Sequence, residues 1–101
     1  MAAPAPTDPV TIPLPADTWT KVGDDLQNIT IKTADTRPKF YVYDKITHGS
    51  TSVVSDATAI QFPSSGIIAI EESVGMDYYV KPVGAAGSVI TWPGTLVFEG
   101  R

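Results

Sequence analysis

Apolar and polar residues alternate with a period of two along most of this chain, the spacing that sends successive side chains to opposite faces of a β-strand. In the stretch 26–33, Ile29 and Ile31 fall on one side and Asn28, Thr30 and Lys32 on the other. In the stretch 38–46, Phe40, Val42 and Ile46 alternate with Tyr41, Tyr43 and Lys45. Its aromatic and β-branched residues suit a pleated, half-buried surface. This stretch is expected to be a central strand, with Phe40, Val42 and Ile46 toward the core and the tyrosines on an amphipathic face. Met76, Tyr78 and Val80 oppose Asp77, Tyr79 and Lys81 in the same manner, whereas the continuous apolar run Ile67-Ile68-Ala69-Ile70 is expected to be a strand covered on both faces.

Turn residues divide these strands. Gly23-Asp24-Asp25 is expected to close a short strand over 17–22, and Thr47-His48-Gly49-Ser50 to turn a hairpin into a brief return strand over 51–54. Short strands are expected at 59–62, 88–92 and 95–99, separated by Pro63-Ser64-Ser65-Gly66, Gly84-Ala85-Ala86-Gly87 and Pro93-Gly94. Turn signals every roughly 8–12 residues, without a helical period, predict an all-β fold: a small antiparallel β-sandwich or barrel of about seven to nine strands. No connection is long enough for a crossover helix.

The beginning of the chain departs from this pattern. Pro4, Pro6, Pro9, Pro13 and Pro15 fix φ and remove backbone donors, so residues 1–16 are expected to form an extended Pro-rich arm ahead of a β-sandwich domain over 17–101. Val10, Ile12 and Leu14 recur at period two within it and are the expected anchors on a neighbouring subunit, through strand addition to its sheet edge.

Composition narrows the function. A chain of 101 residues makes one domain with a modest core, which leaves little room for a deep catalytic cleft. Seven basic against eleven acidic residues give a net charge of −4, which disfavours nucleic acid as a partner. There is no cysteine, so disulfides and thiolate chemistry are excluded. No apolar run spans a bilayer, and the first residues lack the basic and apolar regions of a secretory signal. The expectation is a soluble protein made in a cytoplasm.

Catalytic motifs are absent: the sequence has no nucleophile elbow, phosphate loop, paired-histidine zinc motif or dinucleotide fingerprint. His48, the one histidine, could form a triad only with Ser50 and Asp44 or Asp56, and a turn histidine is ordinarily solvated. Asp24-Asp25 and Glu71-Glu72 are read as solvated acids. Adjacent strand carboxylates face apart, and acids in turns bond locally. No enzyme activity, cofactor or metal is therefore expected. Trp19, Tyr41, Tyr43, Tyr79 and Trp92 are the candidate interface aromatics, and would equally suit carbohydrate stacking.

The order of features resembles small structural proteins of tailed bacteriophages. The Pro-flecked start is followed by Asp17-Thr18-Trp19-Thr20-Lys21-Val22 and Asn28-Ile29-Thr30-Ile31. Later, Met76-Asp77-Tyr78-Tyr79-Val80 precedes Gly84-Ala85-Ala86-Gly87-Ser88-Val89. The resemblance implies a non-enzymatic virion component of the capsid decoration or cement type. Such a protein binds the major capsid protein on the capsid surface as a homo-oligomer, with a trimer favoured, after assembly in the host cytoplasm. It also admits a tail, neck or head-fibre component. A carbohydrate-binding β-sandwich module is the alternative outside that class.

Overall fold

The computed structural model describes residues 9–34 and 40–93, and its fold is all-β. Six strands are present among the described residues: β1 (Val10–Leu14), β2 (Thr20–Thr33), β3 (Tyr41–Thr47), β4 (Ile60–Gln61), β5 (Ile67–Pro82) and β6 (Gly87–Pro93). They form one sheet in the order β1-β6-β2-β5-β3-β4, with every neighbouring pair antiparallel.

The sheet makes two layers because its two longest strands are interrupted at the same level. The register between β2 and β5 shifts three times between Lys21 and Asn28, and Asp25 takes a left-handed φ of 53°. Bulges of this kind bend a strand and increase its twist. On one side of the bend, β1, β6, the second half of β2 and the first half of β5 form layer one. On the other, the beginning of β2, the end of β5, β3 and β4 form layer two. β3 and β6 are not neighbours in the sheet, yet the Ser88 N–H donates to the Tyr41 hydroxyl at 3.3 Å. A Cβ on Gly87 would collide with that same hydroxyl. The layers therefore close face to face, and the missing side chain of Gly87 permits the contact.

The core between them is aliphatic on one side and aromatic on the other. Layer one contributes Leu14, Ile29, Ile31, Ile68, Ile70 and Val89; layer two contributes Val22, Tyr41, Phe62, Met76, Tyr78 and Val80. Phe62 meets the rings of Tyr41 and Tyr43 edge-on, at centroid distances of 6.1 and 5.4 Å. Such arrangements align the positive ring edge with the negative ring face.

Several sequence expectations change. The centre of the sheet is β2 and β5, not the stretch expected at 38–46, of which residues 41–46 lie in β3 beside the two-residue edge strand β4. The faces of β3 are also reversed: Tyr41 is 1% exposed and Phe40 is 38% exposed, because Phe62 and Gly87 make a site for a tyrosine ring. The expected turn at 23–25 is a bulge within one long β2, and 67–70 and 76–81 belong to one long β5. Ile67-Ile68-Ala69-Ile70 is covered on one face only, with Ile68 and Ile70 buried and Ile67 and Ala69 exposed. The turn after β3 is present, with the Ser50 N–H donating to the Thr47 carbonyl at 2.9 Å and Gly49 at φ 82°. Residues 51–54 form no return strand; they belong to an irregular loop.

The arm divides. Residues 1–8, like the strand expected at 95–99, lie outside the described residues. Residues 10–14 form edge strand β1, paired with β6 of the same chain. Pro13 is tolerated there because an edge strand has one side free of ladder bonds. Leu14 is in the chain's own core, Ile12 packs against that core, and Val10 is half exposed.

Candidate functional site

The two layers have different outer faces. On layer one, the register aligns Thr11, Ile90, Lys32 and Ile67 in one row across β1, β6, β2 and β5, and Trp92, Thr30 and Ala69 in the next. These positions alternate with the inward-facing Ile29, Ile31, Ile68, Val89 and Thr91, so the side chains point away from the core. Ile67 is 43% exposed, Ala69 and Lys32 are exposed, and Ile90 and Trp92 are half-buried. The result is an outward-facing sheet surface on which Ile90 and Trp92 of β6 and Ile67 and Ala69 of β5 flank the exposed Lys32 and the buried Thr30 of β2.

On layer two the outward positions mix polar residues, Asp44, Asp77 and Lys81, with apolar ones, Val42 and Ile46, and the chain ties its own loop to the polar ones. Asp44 and Lys81 lie on this face, since their strand neighbours Tyr43 and Val80 face inward. The Asp44 carboxylate accepts from the Lys45 N–H at 2.8 Å, the Ser55 N–H at 3.3 Å and the Thr58 hydroxyl at 2.6 Å. Lys81 pairs with Asp56 and sits 5.4 Å from the centre of the Trp19 ring. The loop between β3 and β4 is thus tied down by Ser55, Asp56 and Thr58.

At the start of that loop lies a third set of contacts. The His48 N–H donates to the Gly75 carbonyl at 3.1 Å, which places its ring beside β5. Ring Nδ1 is 2.9 Å from Asp77 Oδ1 and 3.7 Å from Asp24 Oδ1. The Asp25 N–H donates to Asp77 Oδ1 at 3.0 Å. Lys21 Nζ is 3.0 Å from Asp24 Oδ1 and 3.6 Å from Asp77 Oδ2. The bulge makes the set possible: its left-handed Asp25 turns a backbone N–H toward Asp77, and the Asp25 carboxylate fills the place a side chain at Gly75 would take. The same segment lines a shallow cleft of 420 Å³ with Asp25, Leu26, Gln27, Asn28 and Gly75.

The electrostatics follow from these contacts. Burial pushes the Asp77 carboxyl up, but the bonds from His48 and the Asp25 N–H, with the charges of Lys21 and His48, outweigh it and hold the group below the usual carboxylate range. The bond to Asp77 raises His48 above its ordinary value, against a smaller opposing effect of burial, and the charges of Asp25, Asp77 and Asp24 add to the rise. Lys21 is raised by its bond to Asp24. Asp24, His48 and Asp77 each offer a donor atom within 4.8 Å of the others, a spacing a metal ion could bridge. The ammonium of Lys21 already lies against both carboxylates, so we describe the set as a charge network and not as a metal centre.

The candidate aromatics separate accordingly. Tyr41 is in the core; Tyr43 packs on Phe62 at its margin. Trp19 lies under Lys81, and Tyr79 has the Lys21 ammonium 5.9 Å from its ring centre. Trp92 is on the outer face of layer one, beside Thr30. Sequence reasoning missed the charge network, because His48 and Asp77 are 29 residues apart. The available signal was an acid, Asp77, set between Met76 and Tyr78 in an apolar strand. No family model matches the chain, and neither a curated protein nor a solved structure matches it.

Proposed function

We propose that this protein is a non-enzymatic component of a phage virion, of the decoration or cement type, which binds the outer capsid surface and reinforces the shell. The observation that supports it is the outer face of layer one. Ile67, Ala69, Ile90 and Trp92 share two adjacent rows of the sheet on either side of Lys32 and Thr30, and outward-facing apolar residues grouped with a charged one suit protein contact. Asp44, His48 and Asp77 are occupied in holding the chain's own loop and bulge, which fits an interaction role better than chemistry. The resemblance to phage structural proteins supplies the kind of partner, the major capsid protein, and the homo-oligomeric state. Weak contacts repeated over a lattice then add up to firm attachment.

Two of the three proposed arm contacts carry less of this reading. Leu14 and Ile12 serve the chain's own core, so Val10 and residues 1–8 remain as the segment for a neighbour. Among the aromatics, lysines over Trp19 and Tyr79 occupy ring faces that a sugar would need, which weighs against the carbohydrate-binding reading. The test is quantitative mass spectrometry of purified particles. The expected result is a copy number comparable with that of the major capsid protein. A few copies to a few dozen would move the protein to the neck, tail or fibres, and absence from the particle would overturn the virion reading.

A further inference from the structure

We propose that His48 is a proton-operated clamp: its protonated ring ties the beginning of the loop over layer two to Asp77 and Asp24, and loss of that proton loosens this end of the loop.

The geometry gives the ring two carboxylates to join. Asp77 is on β5 and Asp24 in the β2 bulge, while His48 belongs to the turn that leaves β3. One side chain therefore links the loop to two strands. The charged groups around it come from every element it meets: Lys21, Asp24 and Asp25 from β2, and Asp77, with Tyr79 beside Lys21, from β5. With His48 neutral, three carboxylates face one ammonium. A proton on the ring offsets part of that excess, and the ring can then hold Asp77 by a charge-assisted bond. The other anchors of the loop lack this property. Asp44 holds Ser55 and Thr58, and Lys81 holds Asp56; neither set contains a histidine.

The direction of the pH effect follows from linkage. His48 is raised in the folded chain, so its contribution is complete below its ordinary value of 6.5 and is lost as pH rises through the higher folded value. Asp77 is lowered, so its contribution is present above the ordinary 3.8 and is lost as pH falls through the lower folded value. The clamp is fully closed between those ordinary values and opens as pH rises through the higher folded value of His48.

The full chain contains one histidine, which makes the test direct. Proton NMR of the imidazole ring in the unmodified protein should give a midpoint above 6.5. Over the same titration, the Asp25 and His48 amide resonances should move, with faster hydrogen exchange at the His48 amide than base catalysis alone produces. His48→Gln keeps an amide donor but cannot gain a proton. Its thermal midpoint should be unchanged between pH 6 and 8.5, where that of the unmodified chain falls. A ring midpoint at or below 6.5 would overturn the clamp, as would the same fall in midpoint with His48→Gln.

Discussion

The two layers of the sheet share strands but are stabilised differently. Layer one is held from inside by branched aliphatic side chains and leaves a mixed outer face on which Ile67, Ala69 and Lys32 are exposed. Layer two packs aromatic rings inside and is held from outside by carboxylates that fix a loop and a bulge. Aliphatic packing is non-directional and indifferent to pH, whereas carboxylate networks are directional and titrate. On the proposed reading, layer one is the layer that binds a partner, and layer two, with its carboxylate network, is the one that responds to pH.

The largest expected effect comes from breaking layer one at its centre. Ile31 is 0% exposed, and Ile31→Ala should destabilise the protein by about 2–5 kcal/mol, the transfer term plus the cavity left behind. Ile67→Ala removes the same kind of side chain from the outer face of the neighbouring strand, and should change stability by about 0.5 kcal/mol or less. Urea unfolding midpoints measure both. Equal losses would mean that the outer face is covered within the chain, and would remove the support for a binding surface.

A smaller effect is expected at the seam. Gly87→Ala places a methyl group where the Tyr41 hydroxyl lies, so the layers must separate or the ring must turn. Overpacking of this kind costs about 1–3 kcal/mol. Adding Tyr41→Phe to Gly87→Ala should recover part of the loss, because the colliding oxygen is gone along with its bond to Ser88. A double variant no more stable than Gly87→Ala would place the cost elsewhere.

The contrast between the layers also separates what the sequence discloses from what it conceals. Alternation identifies the inward residues of the second half of β2, where Ile29 and Ile31 stand among Asn28, Thr30 and Lys32, and of the end of β5, where Met76, Tyr78 and Val80 oppose Asp77, Tyr79 and Lys81. It misassigns β3, where both sides are apolar or aromatic. The choice there is made by Phe62 and Gly87, far along the chain. It also takes the bulge for a turn. Gly23-Asp24-Asp25 has the composition of a tight connection, and only the pairing of Thr20–Lys21 and Asn28–Lys32 with the same partner strand shows that the chain runs on. The charge network has no spacing of its own. Its residues come from a bulge, a turn and a strand interior, and only the folded sheet brings them together.

The smallest expected loss at a buried position tests the boundary between the layers. Tyr78 is buried with the core, yet its hydroxyl donates to the Leu26 carbonyl at 2.9 Å, inside the irregular stretch of β2. Burial, with a smaller effect of the Glu72 charge, raises the phenol above its ordinary value, so the group remains a donor well into the alkaline range. Tyr78→Phe keeps the ring and removes the bond, leaving the Leu26 carbonyl to water or to no partner. The expected cost is about 1 kcal/mol, read from urea midpoints. If the bulge is fixed by directional bonds, the variant should also speed hydrogen exchange at the Asp25 amide, which bonds to Asp77 on the same irregular stretch. An equal change in protection at Ile31, deep in layer one, would show instead that the two layers open as one unit.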